Sequence, residues 1–93
     1  MKAKMYNWNK WVSETDPQRL DGKYKPALEK AGFKILKEIE HHFTPYGFTK
    51  LYLLAESHFA IHTFPEENKT YLELTSCVEK QYLRFLEVIN SFE

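Results

Sequence analysis

The sequence is poor in everything that would signal a secreted, membrane-bound or multi-domain protein. Its single cysteine, Cys77, cannot form an internal disulfide, so a reducing, cytoplasmic setting is expected. The longest uncharged apolar run is Leu51–Ala55, far short of the ~20 residues that a membrane helix needs. The opening Met1-Lys2-Ala3-Lys4 leads into tryptophans and charges rather than an apolar signal core. Net charge is also missing: 13 Lys and Arg balance 13 Asp and Glu. That argues against nucleic acid as a partner, because neutralising phosphates takes a basic face. With three glycines there is no Ser/Gly-rich linker, and no internal repeat is present. The 93 residues therefore read as one domain, residues 1–93.

Aromatic side chains are abundant, at 16% of the chain. A domain this short buries only about 60–65% of its unfolded surface. So many large rings on a small body imply that some apolar surface meets another subunit.

Hydrophobic periodicity gives the order β-α-β-β-β-β-α. This is an α+β two-layer sandwich, with an antiparallel sheet and both helices on one face. Tyr6, Trp8 and Lys10 share one side of an opening strand. Asp16-Pro17 reads as a helix start, Asp16 as cap and Pro17 at the first helical position. Gly22 and Pro26 interrupt the pattern, which predicts regular helix over only Tyr24–Ala31, with Gly32 as a left-handed stop. From Phe33 to Phe43, Phe33, Ile35, Ile39 and Phe43 are expected on one face, with Leu36 and Lys37 breaking the pattern locally. Phe48–Ala55 is apolar on both sides and reads as an inner strand; Ser57–Phe64 and Thr70–Leu74 follow. Ser76 and Glu79 have capping-box spacing. The final helix carries Val78, Tyr82, Phe85, Ile89 and Phe92 as a core stripe.

The histidines do not make a metal centre by spacing. His58 and His62 would share a helix face, but in a strand they stand ~13 Å apart, too far for one ion bound at ~2 Å to each nitrogen. Nor does Ser57 lie in the Gly-x-Ser-x-Gly elbow of a serine hydrolase.

Taken together, the stretch Leu54-Ala55-Glu56-Ser57-His58-Phe59-Ala60-Ile61-His62-Thr63-Phe64-Pro65-Glu66, followed by Cys77, is specific. It resembles the prokaryotic S-adenosylmethionine decarboxylase proenzymes. In that family Glu-Ser-His is followed by His-Thr-aromatic-Pro-Glu and later by a Thr-Cys-Gly. Upstream, Phe43-Thr44-Pro45-Tyr46-Gly47-Phe48-Thr49 resembles the family's turn before its first central strand. In the later motif Glu73 keeps the family's acid and Ser76 keeps a hydroxyl in place of threonine, while Val78 replaces the glycine.

The resemblance implies a pyruvoyl enzyme that makes its own cofactor. Ser57 attacks the Glu56 carbonyl, the amide becomes an ester, and elimination and hydrolysis leave a pyruvoyl group heading residues 57–93. That group forms a Schiff base with the amine of S-adenosylmethionine and accepts the electrons released as carbon dioxide departs. Decarboxylated S-adenosylmethionine then feeds spermidine synthesis. By matching position, His62 is the processing base, Cys77 the proton donor and Thr49 a hydroxyl that assists self-cleavage. Glu66 would hold the ribose and Phe43 would stack on adenine. No metal is implied. Cys77 is expected in the first helical turn, where the helix dipole favours its thiolate. Two alternatives stand beside this: the same mechanism acting on arginine or ornithine, or an uncleaved, nonenzymatic paralogue.

The spacing of Ser57 and His62 adds an independent constraint. An odd offset of five puts them on opposite sides of one strand, ~16 Å apart, whereas a base must come within ~3 Å of its proton. A homodimer with shared sites, or a higher oligomer built from it, meets that requirement: Ser57 and Cys77 of one copy face His62, Thr49, Glu66 and Phe43 of the other.

Overall fold

The computed structural model describes residues 3–92; Met1 and Lys2 of the amino-terminal stretch considered above lie outside them. The predicted order holds. Strands β1 (Tyr6–Val12), β2 (Ile35–His42), β3 (Phe48–Leu54), β4 (Ser57–Phe64) and β5 (Lys69–Ser76) accompany helices α1 (Pro17–Lys30) and α2 (Glu79–Asn90). The strands form one sheet in the order β1-β5-β4-β3-β2, every neighbour antiparallel. Among the described residues no helix is long and apolar enough to cross a membrane.

Helix α1 begins where its cap requires. The Asp16 carboxylate accepts from the Arg19 backbone N–H at 2.9 Å, and Pro17 follows as the first helical residue. Contrary to the sequence expectation, the helix runs unbroken through Gly22 and Pro26 to Lys30. Leu20, Tyr24, Ala27 and Leu28 explain this: together they bury one face, and that burial outweighs two poor helix formers on the exposed side. Gly32 takes the left-handed conformation, φ +99°, and stops the helix.

The core lies between the sheet and the helices. Phe59 at the centre of β4 is fully buried, ringed by Trp8, Tyr24, Tyr52 and Phe85. Leu54, Ile61, Leu72, Leu74 and Ile89 belong to the same cluster, with Leu20, Leu28 and Phe33. Each such side chain contributes about 1.5–3 kcal/mol by leaving water.

Beside the core, α1 meets β2 and β3 through charge. The nearly buried Lys50 ammonium lies 2.9 Å from Asp21, 2.9 Å from Glu38 and 3.4 Å from Glu40. The Tyr52 hydroxyl donates to Asp21 at 2.5 Å. Burial pushes the Asp21 carboxyl up, but Tyr52 and Lys50 outweigh it and hold it below the ordinary value. Hydrogen bonds from Lys25 and Lys50 hold Glu38 down likewise. Burial opposes the Lys50 charge, yet Asp21 and Glu38 hold the ammonium above the usual lysine range. Burial and then Asp21 raise the Tyr52 phenol.

Among the described residues the second face of the sheet carries no helix, and β2 departs there from its expected pattern. The register shifts between Ile35 and Lys37, so Ile35 pairs with Leu54 of the covered face while Ile39 pairs with Leu51 of the open one. The extra residue of a bulge inverts every side chain beyond it. Ile39 is therefore 68% exposed instead of sharing a side with Ile35. Leu51 and Leu53 of β3 face the same way and are also exposed. β3 is an inner strand, as its two apolar sides suggested, although β4 holds the middle.

Candidate active site

The proposed site residues fall into two groups at opposite ends of β4. The first surrounds the turn between β3 and β4. Leu54 pairs with Ser57, leaving Ala55 and Glu56 to make the reversal. Glu56 accordingly adopts φ +64°, a left-handed conformation that costs a side-chain-bearing residue about 1–2 kcal/mol. Ser57, the first residue of β4, is paired with Ser76 of β5 and buried on the helix-covered face. Its hydroxyl donates to Ser76 Oγ at 2.7 Å. Cys77 Sγ donates to the Glu56 carbonyl oxygen at 3.1 Å and lies 3.9 Å from the Glu56 carboxylate. The carbonyl, hydroxyl and thiol named from the sequence thus converge on one peptide bond.

Two local expectations at this end need correction. Ser76 is not in a capping box with Glu79: it ends β5, and its Oγ accepts from the Val78 backbone N–H at 3.0 Å. Val78 caps α2 without a side-chain hydrogen bond, and the helix starts only at Glu79. Cys77 consequently precedes the helix and is exposed, outside the first turn in which it was expected. Strand pairing runs two residues past Leu74, so the serine is claimed by the sheet before the helix can use it.

The second group lines an open cavity of about 300 Å³ at the far end of β4. Phe43, Thr49, His62 and Glu66 all border it, together with Tyr46 and Phe64. Thr49 and His62 are register partners, and Thr49 Oγ1 lies 3.1 Å from His62 Nδ1 in a hydrogen bond. On its other flank the imidazole stacks on Tyr71, ring centres 6.3 Å apart. The Phe43 backbone N–H donates to the Gly47 carbonyl at 2.8 Å, folding the loop back so that Phe43 stands half exposed at the rim. Gly47 has φ +110°, a backbone conformation that side-chain-bearing residues rarely adopt and glycine takes freely. Glu66 is presented on the short 3₁₀ turn Pro65–Glu67.

The two groups do not meet within the chain. Ser57 belongs to the covered face with Leu54 and Ser76, and His62 to the open face with Thr49 and Tyr71. The β4 register is regular from Ser57 to Phe64, so no bulge brings them closer, and ~16 Å of strand separates them. Sequence reading missed Ser76 as the partner of Ser57 and Tyr71 as the support of His62. Only the β4–β5 register identifies either one.

The sequence pattern of the S-adenosylmethionine decarboxylase family matches residues 5–92. The chain belongs to that family. The S-adenosylmethionine decarboxylase proenzyme of Parasynechococcus marenigrum is 40% identical over 70 residues, covering 69% of this chain and 55% of the relative. The proenzyme of Thermotoga petrophila is 32% identical over 77 residues, covering 83% of this chain and 58% of the relative. The chain thus spans little more than half the length of these curated relatives. In fold it is similar to the adenosylmethionine decarboxylase of Aquifex aeolicus, with a TM-score of 0.73 at 20% identity, over 98% of this chain and 81% of that one.

Proposed function

We propose that this chain is the self-cleaving precursor of a pyruvoyl-dependent decarboxylase that acts on S-adenosylmethionine, its product serving spermidine synthesis. The observation that carries the reading is the grouping at the Glu56–Ser57 bond. A left-handed Glu56 carbonyl accepts a hydrogen bond from the Cys77 thiol, and the Ser57 hydroxyl is held beside it.

Self-cleavage follows from these parts. Ser57 Oγ attacks the Glu56 carbonyl carbon, the carbon–nitrogen bond breaks, and the hydroxyl proton ends on the released nitrogen. Cys77 Sγ–H stabilises the charge that develops on the carbonyl oxygen, as a preorganised donor does. His62, its imidazole held by Thr49, then removes the Ser57 Cα proton, and Glu56 leaves as a carboxylate. Water replaces the nitrogen as ammonia at the resulting unsaturated residue. The keto group so formed supplies the electron sink for decarboxylation. Cys77 returns a proton to the substrate carbon; Glu66 holds the ribose hydroxyls and Phe43 the adenine ring.

His62 has to come from a second copy, because within one chain it stands at the far end of β4, ~16 Å from the Ser57 Cα proton that it removes. The open face supports such a pair: Ile39, Leu51 and Leu53 form an apolar surface that no helix covers among the described residues. A homodimer joined there brings the cavity end of one β4 to the turn end of the other. Intact mass under denaturing conditions tests the reading. Two fragments, 1–56 and 57–93, are expected, with carbon dioxide released from S-adenosylmethionine and not from arginine or ornithine. A single unbroken species after long incubation contradicts it.

A further inference from the structure

We infer that Ser76 is a positioning residue for self-cleavage, holding the Ser57 hydroxyl for its attack on Glu56; this rests on the function proposed above. Ser76 is completely buried and faces Ser57 across the β4–β5 register. Its Oγ accepts two hydrogen bonds, from Ser57 Oγ at 2.7 Å and from the Val78 N–H at 3.0 Å. The Val78 backbone thereby fixes the Ser76 oxygen, and the Ser76 oxygen fixes the Ser57 O–H. Next along the chain, Cys77 Sγ holds the Glu56 carbonyl oxygen. Two consecutive residues at the end of β5 therefore grip both reacting partners, Ser76 the nucleophile and Cys77 the electrophile.

A buried nucleophile has a small set of rotamers, and holding it in one of them lowers the entropic part of the barrier. Accepting the Ser57 proton in a hydrogen bond also turns an oxygen lone pair of Ser57 away from Ser76. Ser76 takes no proton in the reaction. The acyl shift forms the Oγ–C bond, breaks the C–N bond and moves the Ser57 proton to nitrogen, so it needs no co-reactant. The role differs from that of His62, which acts only after the ester exists.

The two steps can be read separately with hydroxylamine, which cleaves an ester once formed but leaves the amide intact. Precursor is made by rapid cell-free synthesis, and fragment appearance is followed by denaturing mass spectrometry. Ser76→Thr and Ser76→Val have the same shape and differ in one hydroxyl. Ser76→Thr is expected to split within about threefold of the unaltered chain, and Ser76→Val about tenfold slower or more, at matched thermal melting. Hydroxylamine should leave Ser76→Val slow yet split His62→Ala rapidly. Equal rates for the threonine and valine variants would overturn the inference, as would rapid splitting of Ser76→Val by hydroxylamine. If the unaltered chain itself never splits, the functional reading falls and this inference with it; the unaltered control separates the two failures.

Discussion

The two faces of the sheet are finished to different degrees. The covered face is complete within one chain: Phe59 is fully buried among four rings, Lys50 has its carboxylates, and Ser57 has Ser76. The open face is not. It leaves Ile39, Leu51 and Leu53 in water and offers a cavity whose histidine stands ~16 Å along β4 from Ser57. A single strand, β4, contributes to both. On this account the acyl shift is a property of one chain, whereas elimination and decarboxylation belong to a pair.

The largest expected effects act on the chemistry. Ser57→Ala removes the nucleophile and should leave the chain in one piece at any incubation time, as intact mass will reveal. His62→Ala should instead stall at the ester, so its mass stays whole until hydroxylamine is added. Substitutions on the two faces should then separate stability from association. Phe59→Ala on the covered face is expected to cost about 3–5 kcal/mol in denaturant unfolding. Leu51→Glu on the open face should cost the fold under about 0.5 kcal/mol but convert a dimer to monomers in sedimentation. A Leu51→Glu chain that remains dimeric would break the contrast.

A smaller effect is expected at the charge cluster. Lys50→Met removes the cation that joins Asp21 to Glu38, leaving Glu38 with Lys25 and Asp21 with the Tyr52 hydroxyl. Because both carboxylates are partly solvated, the loss should be about 1–3 kcal/mol, below that for a fully buried pair. The pH dependence follows from the same groups. Asp21 and Glu38 are held below their ordinary values, so their stabilisation is full above about pH 4 and lost as the pH falls further. Lys50 is held above its ordinary value, so its contribution is full up to about pH 10 and lost only beyond that. Melting temperature against pH checks both limbs, and the acid limb should flatten in Lys50→Met. A modest change of opposite sign is expected for Glu56→Gly, made in a Ser57→Ala background. Relief of the left-handed turn should raise stability by about 1 kcal/mol.

Much of the covered face was legible in the sequence because burial writes itself as periodicity. Tyr82, Phe85 and Ile89 announced α2, and Tyr6 and Trp8 the inner side of β1. Asp16-Pro17 marked the start of α1 by local chemistry alone. What escaped depends on register. The bulge beyond Ile35 inserts one residue where Leu36 and Lys37 break the alternation, but that local break does not say that the faces are exchanged beyond it. It reversed the assignment of Ile39 and hid the apolar open face. Ser76 looked like a helix cap because its spacing to Glu79 suits one; strand pairing decided otherwise. The residues of the candidate site were nameable from their motif, and the opposite orientation of Ser57 and His62 from simple alternation. Their neighbours Ser76 and Tyr71 became visible only with the strands side by side.

The claim that one site draws on two chains is tested most directly by mixing two inactive variants. Ser57→Ala and His62→Ala chains are unfolded together, refolded and followed by intact mass. The account predicts that the His62→Ala chain alone splits, into 1–56 and 57–93, using the histidine of its Ser57→Ala partner. If the mixture stays whole while the unaltered chain splits, or if His62→Ala splits without a partner, the shared site is contradicted.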